Sequence, residues 1–84
     1  MVLLTRVGCH LCELAHDVVG PVTERHGVSL VELDVEADPQ LRSRYTDHVP
    51  VVFVHGRLLD YWQVREDRLE DALQGRPVSP PAPL

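Results

Sequence analysis

Two cysteines three positions apart, Cys9 and Cys12, stand between a short apolar run and a helical pattern. That junction constrains the fold more than any other feature of the chain. Val2–Thr5 reads as a buried strand that breaks off at Arg6-Val7-Gly8. From Leu11 the apolar residues Leu14, Ala15, Val18, Val19 and Val22 follow in steps of 3, 1, 3, 1 and 3, the spacing of a helix with one buried stripe. A strand feeding a helix through a short loop is the first half of a right-handed β-α-β crossover. Gly20-Pro21 interrupts the pattern, and a proline inside a helix removes a hydrogen bond, so a kink or restart is expected there. The helix should end near His26-Gly27, with Gly27 just past its last residue.

Val28–Val35 reads as the second strand, with Val31, Leu33 and Val35 on one side and Glu32 and Asp34 on the other. Asp38-Pro39 opens a short helix that ends near Tyr45–Thr46, with Asp38 as cap and Pro39 in the first helical position. Val49-Pro50 leads into Val51-Val52-Phe53-Val54, four apolar residues in a row, as in a strand buried on both faces. His55-Gly56 signals a tight turn, and Arg57–Tyr61 would return antiparallel. Val64–Gln74 is a final helix with Leu69, Ala72 and Leu73 inward and Gly75 at its end. The order β-α-β-α-β-β-α predicts an α/β domain over residues 1–75, a four-stranded mixed sheet flanked by helices. Residues 76–84 hold four of the seven prolines and are expected to be a disordered tail.

The chain has 84 residues and a net charge of −5, and its eight basic residues are all arginine and scattered. That balance speaks against nucleic-acid binding. No apolar run reaches the ~18 residues of a membrane span. Met1–Leu4 gives way to Thr5-Arg6 too soon for a signal peptide. The expectation is a cytoplasmic monomer without a membrane partner. Thiols are kept reduced in the cytosol, so two cysteines there are not a structural staple. A bridge across so small a loop would also constrain the unfolded chain very little. The pair therefore reads as reactive.

Cys9 falls where a helix presents unpaired N–H groups and partial positive charge, so a thiolate there is stabilised. Cys12 lies one turn on along the same face, within bonding reach. The division of labour that follows is Cys9 as nucleophile toward a disulfide and Cys12 as the thiol that resolves the mixed disulfide. Arg6 and a protonated His10 would add positive charge beside Cys9. Leu11 could meet the apolar surface of a substrate or pack inward. No resident metal or cofactor is expected. Two rival readings stay open. One is a binding domain that does no turnover. The other is a metal or iron–sulfur protein using the same thiols, since His16 follows Cys12 by four residues, though no second close ligand pair is present. His26, His48 and His55 read as surface or turn residues, with His48, just before Val49-Pro50, able to approach the site.

The strand–Cys-x-x-Cys–helix start, with Val49-Pro50 before a hairpin and a last helix, resembles the glutaredoxins over roughly residues 2–75, and more closely the short bacterial glutaredoxin-like proteins. The resemblance implies a thioredoxin-like fold and thiol–disulfide oxidoreductase activity. It implies a cis Pro50 facing the cysteines, with Val49 and Pro50 binding an extended substrate or glutathione by strand addition. It implies disulfide-bearing proteins or small thiols as substrates, and glutathione, another small thiol or a flavin disulfide reductase as the source of electrons. Glutaredoxins usually carry Pro-Tyr or Pro-Phe between the cysteines, where this chain has His10-Leu11. They usually have Gly-Gly after the hairpin and an Asp soon after, where it has Asp60-Tyr61 and then Gln63-Val64. The close backbone approach that paired glycines allow is lost.

Overall fold

The computed structural model describes residues 1–84. Its elements are β1 (Val2–Thr5), α1 (His10–His26), β2 (Val31–Asp34), a 3₁₀ turn (Val35–Ala37), α2 (Pro39–Tyr45), β3 (Val51–Val54), β4 (Arg57–Tyr61) and α3 (Glu66–Leu73). The sheet runs β2-β1-β3-β4. β1 is parallel to β2 and antiparallel to β3, and β3 and β4 form an antiparallel hairpin. This is the expected mixed four-stranded sheet in the expected order. His55 (φ 52) and Gly56 (φ 75) both take the left-handed backbone that a two-residue hairpin turn requires.

Strand residues alternate between faces, and the sheet buries both. Leu3, Val52, Val54 and Leu59 pack with Ala15, Val19 and Val22 of α1 and Leu69 of α3. Leu4 and Val51 point the other way and pack with Val35, Val49, Cys9 and Cys12, with Leu41 and Tyr45 of α2 half-buried against them. The four-residue apolar run of β3 thus serves two cores, and the cysteines belong to the second.

Several expectations need correction. Gly20-Pro21 does not divide the first helix: α1 is continuous over 17 residues. Pro21 sits on its exposed side, so the missing N–H is lost next to water. Gly27 closes α1 with φ 63, as expected, and Val28 N–H reaches back to Thr23 O at 3.0 Å. β2 is shorter than Val28–Val35, and Val31 and Leu33 are exposed rather than inward; only Val35 is buried, in the 3₁₀ turn. β2 is an edge strand. α3 begins at Glu66, with Val64 buried just ahead of it.

The tail expected to be disordered has no helix or strand but lies against β4 and α3. The Arg68 guanidinium donates to Ser79 O at 2.7 Å and to Leu59 O at 2.9 Å, Tyr61 Oη donates to Ala82 O at 2.9 Å, and Val78 packs on the core. A proline-rich segment has few N–H groups to offer, so side chains hold it by its carbonyls. No helix is long and apolar enough to cross a membrane.

Candidate functional site

Gly8, at φ 78, turns the chain out of β1 and delivers Cys9 to the start of α1. Cys9 is the N-cap, with extended backbone (φ −92, ψ 113), and its Sγ accepts a hydrogen bond from Cys12 N–H at 3.3 Å. Sulfur here fills the place that a serine or aspartate oxygen holds at other helix starts. A negative charge on Cys9 Sγ would therefore meet an aligned N–H and the positive end of a 17-residue helix. Both cysteines are free thiols, Cys9 9% and Cys12 3% exposed. Burial pushes the Cys12 thiol up to about 12, and a hydrogen bond to Cys9 adds to the rise; the Arg6 backbone and the Arg6 charge act the other way. The inner sulfur, Cys12, therefore keeps its proton at neutral pH.

The Val49-Pro50 peptide bond is cis, and Val49 packs in the same cluster as the two cysteines. Val49 enters none of the loop's backbone hydrogen bonds. These run instead from His48 N–H to Tyr45 O (2.8 Å) and from Trp62 N–H to Pro50 O (2.9 Å) and His48 O (3.2 Å). The Val49 N–H and C=O thus have no backbone partner within the protein, and the residue is 4% exposed.

The other expected site residues are placed as follows. The Arg6 guanidinium donates to Thr46 O (2.9 Å) and Thr46 Oγ1 (3.3 Å), tying the loop before Cys9 to the end of α2. Arg6 is thus committed to the protein itself, and its charge still reaches Cys12. His10 is exposed, 3.6 Å from the exposed Glu13 carboxylate. Leu11 is 44% exposed and faces outward, which settles its orientation. His16 pairs with Glu32 on β2 at 2.7 Å rather than turning toward Cys12, and no three His, Cys, Asp or Glu side chains are grouped to hold a metal ion. The His48 ring stacks on Trp62 at 5.8 Å, and its buried Nδ1 has no partner.

Sequence reasoning missed two features. Trp62, with φ 64, carries the loop beside Pro50, and its Nε1–H donates to Asp47 O at 2.9 Å. Its only sequence signal is that it is the one tryptophan and follows a strand. Asp60, in the first of the two positions where the resemblance leads one to expect glycine, is buried; it accepts from Arg68 Nε at 3.0 Å and from Arg65 N–H, at the start of α3, at 3.3 Å.

A four-stranded mixed sheet with a Cys-x-x-Cys at the head of its first helix and a cis proline just before β3 defines a thioredoxin-like domain. The glutaredoxin-like domain (DUF836) matches residues 1–74, and the chain belongs to that family. Uncharacterized proteins of Mycobacterium bovis and Mycobacterium tuberculosis are 34% identical to it over 85 residues, covering 94% of this chain and 88% of theirs. A glutaredoxin-like protein of Dictyostelium discoideum is 27% identical over 71 residues, covering 77% of this chain and 66% of its own length. The X-ray structure of a structural-genomics target protein from X. campestris superposes with a TM-score of 0.65 at 29% identity, covering 90% of this chain and 97% of that one.

Proposed function

We propose that the protein is a dithiol oxidoreductase that reduces disulfides of proteins or small thiols. The observation that carries this reading is Cys9 Sγ at the cap of α1, receiving Cys12 N–H, with a buried and protonated Cys12 behind it. The Cys9 thiolate attacks one sulfur of the substrate disulfide. A Cys9–substrate S–S bond forms, and the other substrate sulfur leaves as a thiolate that takes a proton from solvent. Cys12 then gives up its proton and attacks Cys9 Sγ, closing the Cys9–Cys12 bridge and expelling the second substrate thiol. Two electrons pass from the protein dithiol to the substrate disulfide. Glutathione, another small thiol or a flavin disulfide reductase restores the dithiol. The setting is the cytosol, where such donors keep thiols reduced.

Val49 and Pro50 hold the substrate backbone next to the sulfurs, using the free Val49 N–H and C=O as a one-residue strand addition. Arg6 acts through its charge and by fixing the loop. His10, exposed in the first turn, tunes the thiolate when protonated. Replacing Cys9 with Ser should abolish disulfide reduction, whereas Cys12→Ser should accumulate a mixed disulfide at Cys9. Full turnover by the Cys9 variant would refute the assignment. Thiols inert to every disulfide offered would favour a binding domain without turnover.

A further inference from the structure

We infer that Trp62 is a substrate-binding residue, and that the substrates are extended polypeptides with an apolar or aromatic side chain next to the disulfide-bonded cysteine. The inference rests on the oxidoreductase reading and adds the substrate class. Trp62 is held by three hydrogen bonds: its backbone N–H to Pro50 O and His48 O, on either side of Val49, and its Nε1–H to Asp47 O. Its ring is backed by His48, almost parallel at 10° between planes, and by the edge of Tyr61 at 5.1 Å. Despite this anchoring the residue is 52% exposed. An indole fixed on one side and open on the other costs little entropy when it is covered, which is the property of an aromatic anchor.

Around Cys9, the loop residue Val7 is 88% exposed and Leu11 44% exposed. Leu11 stands in the first turn of α1 two residues after Cys9, and the Trp62 loop is bonded to the residues flanking Val49, which packs with Cys9. Single exposed apolar residues are ordinary, but Trp62 is one anchored to the backbone on either side of Val49, and Val49 packs with the nucleophile. An extended peptide can pair its backbone with Val49 and lay its flanking side chain on the indole. Glutathione, a small anion, finds less here. Arg6 is committed to Thr46, Asp60 is committed to Arg68, and side chains stand at positions 60 and 61.

The test uses the full-length reduced protein in single turnover. Its sole tryptophan is Trp62, so indole fluorescence reports the site directly. The oxidants are disulfide dimers of blocked short peptides with Phe or Gly beside the cysteine, and glutathione disulfide. The Phe peptide should react roughly three- to tenfold faster than the Gly peptide, the range an aromatic pair supports. Trp62→Ala should bring that ratio close to one, while Trp62→Phe should keep most of it. The ratio is the readout because a general loss of structure slows both peptides alike. A ratio unchanged by Trp62→Ala, or glutathione disulfide outpacing the Phe peptide, would overturn the inference and leave the oxidoreductase reading intact. Failure of the wild-type dithiol to reduce any of the three would overturn both.

Discussion

Iodoacetamide applied to the reduced protein at pH 8 should modify Cys9 and leave Cys12 largely untouched. At its ordinary value of 9.0, as in the unfolded chain, Cys12 would be ~10% ionised at that pH, whereas pushed up to about 12 it is ~0.01% ionised, roughly a thousandfold loss of the reactive form. The more basic sulfur is the better nucleophile, and a Brønsted slope of ~0.45 returns about 20-fold of that loss. Ionisation alone then slows Cys12 about 50-fold. Its 3% exposure slows it further. Alkylation of Cys9 removes that residue's contribution, but burial, the larger cause of the rise, stays. The assay is intact mass against time, with peptide mapping of the first adduct and a urea-unfolded control in which the two cysteines should react alike. The native protein should gain one carbamidomethyl group, on Cys9, and the slow second addition should quicken about tenfold per pH unit. Two additions within about fivefold of each other in rate, or a first adduct on Cys12, would refute the division of roles.

Asp60→Ala should cost about 2–4 kcal/mol in urea unfolding, because it strips Arg68 of a largely buried partner and the Arg65 N–H, just ahead of α3, of its acceptor. A loss below about 0.5 kcal/mol would show that the pair behaves as a solvated one. The Arg25 guanidinium, and next to it His26, holds the Glu70 carboxylate below its ordinary value and so ties α1 to α3. A depressed carboxylate stabilises the fold above its unfolded value and loses that contribution as pH falls through its folded value. Glu70→Gln should therefore melt below wild type at neutral pH and converge with it below about pH 4. A gap that persists in acid would place the effect elsewhere.

The fold and the thiol pair were legible because both rest on local signals. Cys9 and Cys12 fall where a β run meets a helical period, which puts Cys9 at the head of the helix and Cys12 in its first turn. His55-Gly56 announced its turn through backbone preference alone. What was not legible depends on contacts distant in sequence. A period of two groups Val31 with Leu33, yet it does not say whether any helix covers them, and in the fold both stay exposed on an edge strand. Pro21 warned of a break that an exposed position on α1 makes tolerable. Asp60 and Arg68 are eight residues apart and look like surface charges until the turn after β4 brings them together. The tail's prolines suggested disorder, whereas Tyr61 and Arg68 grip its carbonyls. Trp62 gained its place beside Pro50 from a left-handed backbone at a non-glycine residue, which no spacing rule foretells.

The central claim is a reversible bridge between Cys9 and Cys12. It is tested most directly by intact mass after equilibration in a series of glutathione redox buffers under argon with acid quenching. The account predicts a loss of two hydrogens across a single midpoint, about −200 to −230 mV if the protein works in the range of glutaredoxins. A mass that stays constant across the whole series would contradict it.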